Sequence, residues 1–133
     1  MILVTQEIRA LLRANDAAHR AAVAQGQREP DPVPVVRFFN PVGSATWLAT
    51  EIDEDGILFG LADLGFGSPE LGSFALEELE SIRLPFGLGI ERDIAFHGDH
   101  PLSVYAQAAR RAGSLVLGER ALRKAAATLS GGR

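Results

Sequence analysis

Seven acidic residues in the middle of the chain have the side-chain types and the spacing that could support chemistry. They are Glu51, Asp53, Glu54, Asp55, Asp63, Glu91 and Asp93. Carboxylates gathered in one place can hold Mg²⁺ or Mn²⁺, as a metal-dependent nuclease or hydrolase requires. The acids match no fixed-spacing metal motif, and such residues are also common at hairpin tips and on the solvated side of a sheet. We therefore keep the nuclease or hydrolase as an alternative and assign no metal ligand, cofactor or catalytic residue.

Arg92 falls among apolar residues. In the strand predicted over residues 90–96, it shares a face with Ile90 and Ile94. A guanidinium on such a face needs a carboxylate partner or a route to solvent. Glu51 is the expected partner, because alternation places it on the same face of the second strand as Trp47. The candidate binding residues are Trp47, Glu51, Asp53, Glu91, Arg92 and Asp93.

The histidines and serines give weaker signals. His97 and His100 flank Asp99 and offer metal-ligand atoms, but a fourth ligand is missing, so we expect solvated loop side chains. His19 stands alone on the predicted first helix and is expected to be exposed. No serine lies in a nucleophile elbow, and no phosphate-binding loop motif is present.

Charge is distributed unevenly along the chain, whose net formal charge is -4. Residues 1–50 carry +1, residues 51–99 carry -10 and residues 100–133 carry +5. A basic tail after an acidic middle has two interpretations. The tail docks on an acidic surface, which is the sheet of the same chain or a second copy of the chain in a homodimer. Alternatively, the tail binds an external anion such as nucleic acid. The tail residues concerned are Arg120, Arg123 and Lys124.

The composition is that of an ordinary globular domain. The chain has 133 residues, of which 47% are hydrophobic and 23% charged, enough for one independent core. The absence of cysteine excludes a disulfide framework, a thiolate nucleophile and a sulfur-based metal site. We expect a cytoplasmic location and no membrane association, because we find no basic leader and no apolar run of about 18 residues.

Hydrophobic periodicity predicts an α+β fold with an antiparallel sheet of about five short strands. Strands are expected at residues 33–39, 46–53 and 57–64, with a hairpin turn at 53–56. The other predicted elements are an N-terminal helix capped by Thr5 and broken or kinked at Asn15-Asp16, a fourth strand at 71–74, a short helix at 76–82, a fifth strand at 90–96, a helix from 102 that stops at Gly113, and a last helix at 119–129. The helices at the two ends of the chain are expected to cover one face of the sheet. Residues 1–113 form the predicted domain, and residues 114–133 form a basic helical extension that should be separable from it.

Several sequence runs are similar to those of one family. They are VRFFNP at 36–41, TW at 46–47, Glu51 with Asp53, FGL at 59–61, ELGSFALEEL at 70–79, GLGIERDIAF at 87–96 and PL at 101–102. In order and spacing the chain resembles the domain of unknown function 2958 family over residues 2–104. The resemblance implies a small protein of plasmids, integrative elements and phages, encoded near DNA-transfer or antirestriction genes. It implies no established activity and no catalytic residues, and the chain beyond about Val104 is expected to be its own addition.

The leading functional hypothesis is a non-enzymatic accessory protein of a mobile element that acts through protein contacts. Its acidic centre suits a basic protein partner. The alternatives are the metal-dependent nuclease or hydrolase that uses the acidic cluster, and a nucleic-acid-binding module that uses the basic tail.

Overall fold

The fold is α+β, as predicted. A computed structural model describes residues 1–131, and Gly132 and Arg133 at the end of the predicted extension lie outside the described residues. The elements are α1 (Gln6–Ala24), β1 (Val36–Phe39), β2 (Thr46–Ile52), β3 (Ile57–Asp63), β4 (Glu70–Ala75), α2 (Leu76–Ser81), a 3₁₀ turn (Pro85–Gly87), β5 (Glu91–Arg92), α3 (Leu102–Ala112) and α4 (Leu115–Gly131). Within residues 1–131 the five strands form one antiparallel sheet in the order β4-β3-β2-β1-β5. None of the helices in this part of the chain has the length and apolarity needed to cross a membrane.

The first three strands and the turn between β2 and β3 are confirmed, although β1 begins at Val36 and not at residue 33. The Asp53 carboxylate accepts hydrogen bonds from the backbone amides of Asp55 and Ile57, both at 2.9 Å. Gly56 has a φ of 79°, a backbone conformation that glycine adopts without steric cost. The alternation of period two and the Asp-Gly pair were therefore sufficient to place this hairpin.

β5 is much shorter than the strand predicted at 90–96. Its ladder with β1 ends where the Asp93 amide donates to Arg37 O at 2.9 Å. The Asp93 carboxylate then accepts from the Ala95 amide at 3.0 Å, and the Phe96 amide donates to Asp93 O, which turns the chain out of the sheet. The period-two alternation of apolar residues therefore continues through residues 94–96 in the sequence, although these residues have left the sheet.

Helices cover both faces of the sheet, so the expectation that they cover one face was wrong. Adjacent residues of β2 point to opposite faces, and both faces are buried along its whole length. Trp47 belongs to a core with α1 and α2, whereas Leu48 belongs to a second core with α3 and α4. The sequence signal was the unbroken apolar run from Trp47 to Ala49, which is typical of a strand buried on both faces.

α1 is continuous and packs along β2 beyond the end of β1. Thr5 is its N-cap, as predicted, and its hydroxyl accepts from the Ile8 amide at 3.2 Å. The first residue of β1, Val36, lies opposite Ala49, so residues 50–52 of β2 have no strand partner on the β1 side within the described chain. Asn15 Nδ2 donates to Thr50 O at 2.9 Å, and Arg13 Nη1 donates to Ile52 O at 3.4 Å. The predicted break at Asn15-Asp16 was wrong, because Asn15 satisfies a strand carbonyl instead of its own helix backbone.

α4 packs on α3 and on the second core through its first turns. α3 stops at Gly113, as predicted, whose φ of 79° lies in the left-handed region. Leu115 is fully buried, and its amide donates to the buried Asp63 carboxylate at 2.8 Å. A Cβ built on Gly118 would lie 2.6–2.8 Å from backbone atoms of α3, so the two helices approach closely at this glycine. The separate domain boundary at residue 113 stays a prediction, although these contacts join the predicted extension to the sheet.

Candidate binding site

The candidate binding residues do not gather in one place. Trp47 is only 5% exposed and belongs to the first core. Glu91–Arg92 forms the outermost strand on one side, and Asp93 follows it. Glu51 lies on the central strand, two strands away from Arg92, and Asp53 lies in the hairpin turn. No single pocket therefore contains all six predicted residues.

The predicted pair of Arg92 with Glu51 was wrong. Arg92 Nη1 donates to the backbone carbonyls of Ile2 at 2.5 Å and Leu3 at 3.4 Å, so the N-terminal segment supplies its acceptors. β2 has a register shift between Ala49 and Glu51. Such a bulge reverses the face on which the following residues lie, which removes Glu51 from the face of Trp47.

Glu51 instead binds His19 on α1. His19 Nδ1 contacts the two Glu51 carboxylate oxygens at 3.0 and 3.2 Å, and Nε2 contacts Glu29 Oε1 at 2.5 Å. The prediction that His19 is isolated and exposed was therefore wrong. The pKa of His19 is raised above 6.5, and the hydrogen bond with Glu51 is the main cause. Burial of the ring lowers this pKa, whereas the hydrogen bond with Glu29 raises it further.

The pairing of His19 gives the stability of the fold a pH dependence. Because the folded-state pKa is raised, the stabilisation is fully present below about pH 6.5 and is lost as pH rises through the folded-state pKa. We expect the free energy of unfolding to fall over this range more steeply for the native chain than for His19→Gln. Urea unfolding at a series of pH values measures this slope. His97→Gln, which alters an exposed histidine, is the matched control, and identical slopes for all three proteins would contradict the assignment.

Asp53, Asp63 and Asp93 of the predicted cluster each have separate structural partners. Asp53 stabilises the hairpin turn, Asp63 accepts from the Gly65 and Leu115 amides, and Asp93 accepts from Ala95. Among residues 1–131, no group of three or more histidine, aspartate or glutamate residues is arranged to hold a metal ion. The acidic residues thus form local turns and caps at several positions and not one cluster.

A cavity of about 420 Å³ lies between the C-terminal half of α1 and the sheet. The row Glu51, Phe59 and Ser73 lies along its floor, since these residues are register partners on β2, β3 and β4. Val23 and His19 of α1 line the side that faces this row. The cavity therefore combines an apolar wall with the buried Glu51 carboxylate and reaches β4.

A second groove of about 670 Å³ lies between α4 and the loop that follows β5. Arg37 and Glu119 form its base through a bidentate ion pair. Arg37 Nε donates to Glu119 Oε2, and Arg37 Nη2 donates to Glu119 Oε1, both at 2.9 Å. Arg37 Nη1 also lies 3.5 Å from Asp93 Oδ2. Sequence reasoning missed this pair, which joins residues 82 positions apart. The available signal was that Glu119 is the single acid in the basic tail.

The basic tail residues differ in their relation to this groove. Arg120 and Arg123 line it, whereas Lys124 is exposed on α4 and is not one of the lining residues. Within the described part of the chain, neither Arg120 nor Arg123 has a carboxylate within 4.0 Å. As far as residues 1–131 are concerned, these two guanidinium groups are free to meet a ligand.

The two loop histidines also line the groove, but they have different surroundings. The His97 side chain is 88% exposed, with Nε2 3.8 Å from Asp99 Oδ1, as expected for a solvated residue. His100 packs edge-on against Tyr105 with a ring separation of 5.7 Å, which was not expected. Tyr105 Oη accepts from the Asp99 amide at 3.1 Å, and burial raises the pKa of Tyr105.

β4 is the long free edge of the sheet. It pairs with β3 over six residues without a register shift, and in the described part of the chain no strand lies on the other side of β4. Among residues 1–131, no further backbone hydrogen bond between segments involves residues 70–75. Leu71 is 39% exposed, and Phe66 in the preceding loop is 86% exposed. β4 thus offers unpaired backbone groups next to exposed apolar side chains.

The comparisons with known proteins show one relationship. The model of a family described as a protein of unknown function, DUF2958, matches residues 3–116. The chain belongs to this family. The match includes α3 and the first residues of α4, so it extends farther than the expected end near residue 104, while Arg120, Arg123 and Lys124 lie beyond it. No curated protein and no solved structure matches the chain.

Proposed function

We propose that this protein is a non-enzymatic accessory protein of a mobile genetic element, which acts in the cytoplasm by binding a basic partner protein along β4. The observation that carries the proposal is the free edge of β4. An extended segment of a partner can add a strand to such an edge, with main-chain hydrogen bonds that supply affinity. The link to mobile elements comes from the family resemblance described above.

The two edges of the sheet support the proposal by their contrast. Natural sheets protect their edges with short strands, bulges, charges or covering segments. β5 has two residues, and the N-terminal segment lies against it, with the Arg92 amide 3.1 Å from Met1 Sδ. β4 has six residues in regular register and exposes apolar side chains beside them. An edge of this length, with Glu70 as the single charged residue among residues 70–75, is suited to strand addition.

The charge near β4 selects the class of partner. Residues 64–81 contain Glu70, Glu77, Glu78 and Glu80 and no lysine or arginine. A basic segment would therefore be attracted to this edge and would associate faster at low salt. A second copy of the chain would bring the same acids together if two β4 strands paired, so the charge favours a different protein over a homodimer.

The experiment is affinity purification of the native chain and two variants from the host, with quantitative mass spectrometry. Phe66→Lys with Leu71→Lys alters the β4 edge, and Phe86→Lys with Leu117→Lys is the control at sites that are 92% and 48% exposed. We expect the edge variant to reduce recovery of the partner at least about tenfold, a loss of about 1.4 kcal/mol of binding free energy, while the control retains it. Equal recovery with both variants would contradict the use of β4.

Nucleic-acid binding is a second candidate function, favoured by the free Arg120 and Arg123 beside the larger groove. Phosphate contacts from such residues would make binding salt-dependent. Arg120→Ala with Arg123→Ala should then abolish a gel shift with single- or double-stranded DNA or RNA. A native chain that gives no gel shift at low salt would exclude this candidate and leave the β4 proposal unaffected.

A further inference from the structure

We infer that the cavity beside α1 binds one arginine or lysine side chain of the partner strand that pairs with β4. This inference rests on the proposed strand addition and adds the chemistry of one partner position. It concerns the position directly opposite Ser73. The register of the sheet and the composition of the cavity walls both support it.

The register places the partner side chain at the mouth of the cavity. Glu51 is opposite Phe59, and Phe59 is opposite Ser73, so the three side chains form one row across β2, β3 and β4. All three line the cavity of about 420 Å³. A residue paired with Ser73 would extend this row on the same face, with its Cβ about 4.5–5.5 Å from that of Ser73. A long side chain at that position can therefore enter the cavity from its β4 end.

The cavity walls fit a long side chain with a cationic end. Phe59, Val23 and Ile57 provide an apolar surface for the aliphatic stem. Phe59 also supplies an aromatic ring, a group that attracts a guanidinium or an ammonium when the cation lies over its face. A long aliphatic stem that ends in a cationic group is characteristic of arginine and lysine.

The charges around the cavity favour a cation. Its ionisable lining consists of the carboxylates of Asp16, Glu51 and Asp53, with Arg20 and His19 as the basic groups. Arg20 Nε binds Asp16 Oδ2 at 2.8 Å, and His19 binds Glu51, which leaves one excess negative charge even when His19 is protonated. Asp53 uses Oδ1 for the turn, and in the described chain no hydrogen bond occupies its Oδ2. Asp53 Oδ2 is the acceptor that an incoming cationic group would meet.

The test uses the full chain and blocked seven-residue peptides of alternating valine and threonine with arginine at the centre. Matched peptides carry glutamine at the centre or N-methyl groups on alternate residues, which prevent strand pairing. Amide NMR titration of residues 70–75 reports binding. We expect the arginine peptide to bind at least about tenfold more tightly than the glutamine peptide, and the N-methylated peptide not to bind.

A variant separates the cavity from general electrostatic attraction. Ser73→Arg places a guanidinium at the cavity from β4 itself, so the preference for the arginine peptide should fall below about twofold. Ser81→Arg adds the same charge at an exposed position on α2 and should retain the preference. If arginine and glutamine peptides bind equally, or if Ser73→Arg retains the full preference, the cavity inference is wrong while strand addition stands. If the native chain binds none of the peptides, strand addition itself is wrong and the cavity inference falls with it.

Discussion

Glu119→Ala should lower the free energy of unfolding by about 3 kcal/mol, the lower end of the range for breaking a buried ion pair. The substitution removes the carboxylate that binds Arg37 Nε and Nη2, while the Arg37 side chain is only 15% exposed. The guanidinium would keep only Asp93 at 3.5 Å as a charged partner. Urea unfolding followed by circular dichroism measures the change.

The neighbouring Arg120→Ala is the control, because it alters an exposed residue of the same helix and should change stability by no more than about 0.5 kcal/mol. Replacing both partners, Arg37→Met with Glu119→Leu, should recover most of the loss, since no charge is then left buried without a partner. A loss for Glu119→Ala that is no larger than that for Arg120→Ala would show that α4 does not dock through this pair.

Gly60→Ala should be still more damaging, with a loss of at least about 3 kcal/mol, the upper end of the usual cost of overpacking. A Cβ on Gly60 would lie 1.8 Å from Leu48 O and 2.9 Å from the Ala49 Cα, both backbone atoms of the adjacent strand. Backbone cannot yield as the end of a flexible side chain can, so β2 and β3 would have to separate in the centre of the sheet. Thermal unfolding of the purified variant measures the loss.

Gly72→Ala is the matched control for Gly60→Ala, because the two glycines are register partners on β3 and β4. A Cβ on Gly72 would meet no atom within 4 Å, and we expect a change within about 0.5 kcal/mol. Similar losses for the two variants would mean that β2 and β3 do not approach as closely as described.

Gly60 also explains why the candidate site could not be found from alternation alone. It lies opposite Ala49, next to the bulge, and a glycine in a strand often marks such a close backbone approach. The sequence shows the glycine but not the extra residue in the opposite strand. Strict alternation therefore assigned Glu51 to the face of Trp47 and paired it with Arg92, whereas the bulge directs it to His19.

Local signals predicted the elements well, and long-range pairing accounts for most of the differences. The Thr5 cap, the hairpin at residues 53–56 and the stop at Gly113 depend on neighbouring residues, and all three are confirmed. The bond of Arg37 with Glu119 joins residues that no local pattern connects. The burial of both sheet faces could have been predicted from β2, because an unbroken apolar run indicates a strand that is covered on both sides, whereas alternation indicates one covered face.

Hydrogen exchange of the protein bound to its purified partner tests the proposed function most directly. Backbone amides of β4 that face away from β3 have no partner among residues 1–131 of the isolated chain, and a paired strand would protect them. We predict at least about tenfold slower exchange in residues 70–75 on binding, with little change in the amides of α4. Unchanged exchange in residues 70–75, together with new protection in α4, would contradict binding along β4 and assign the contact to the basic helix.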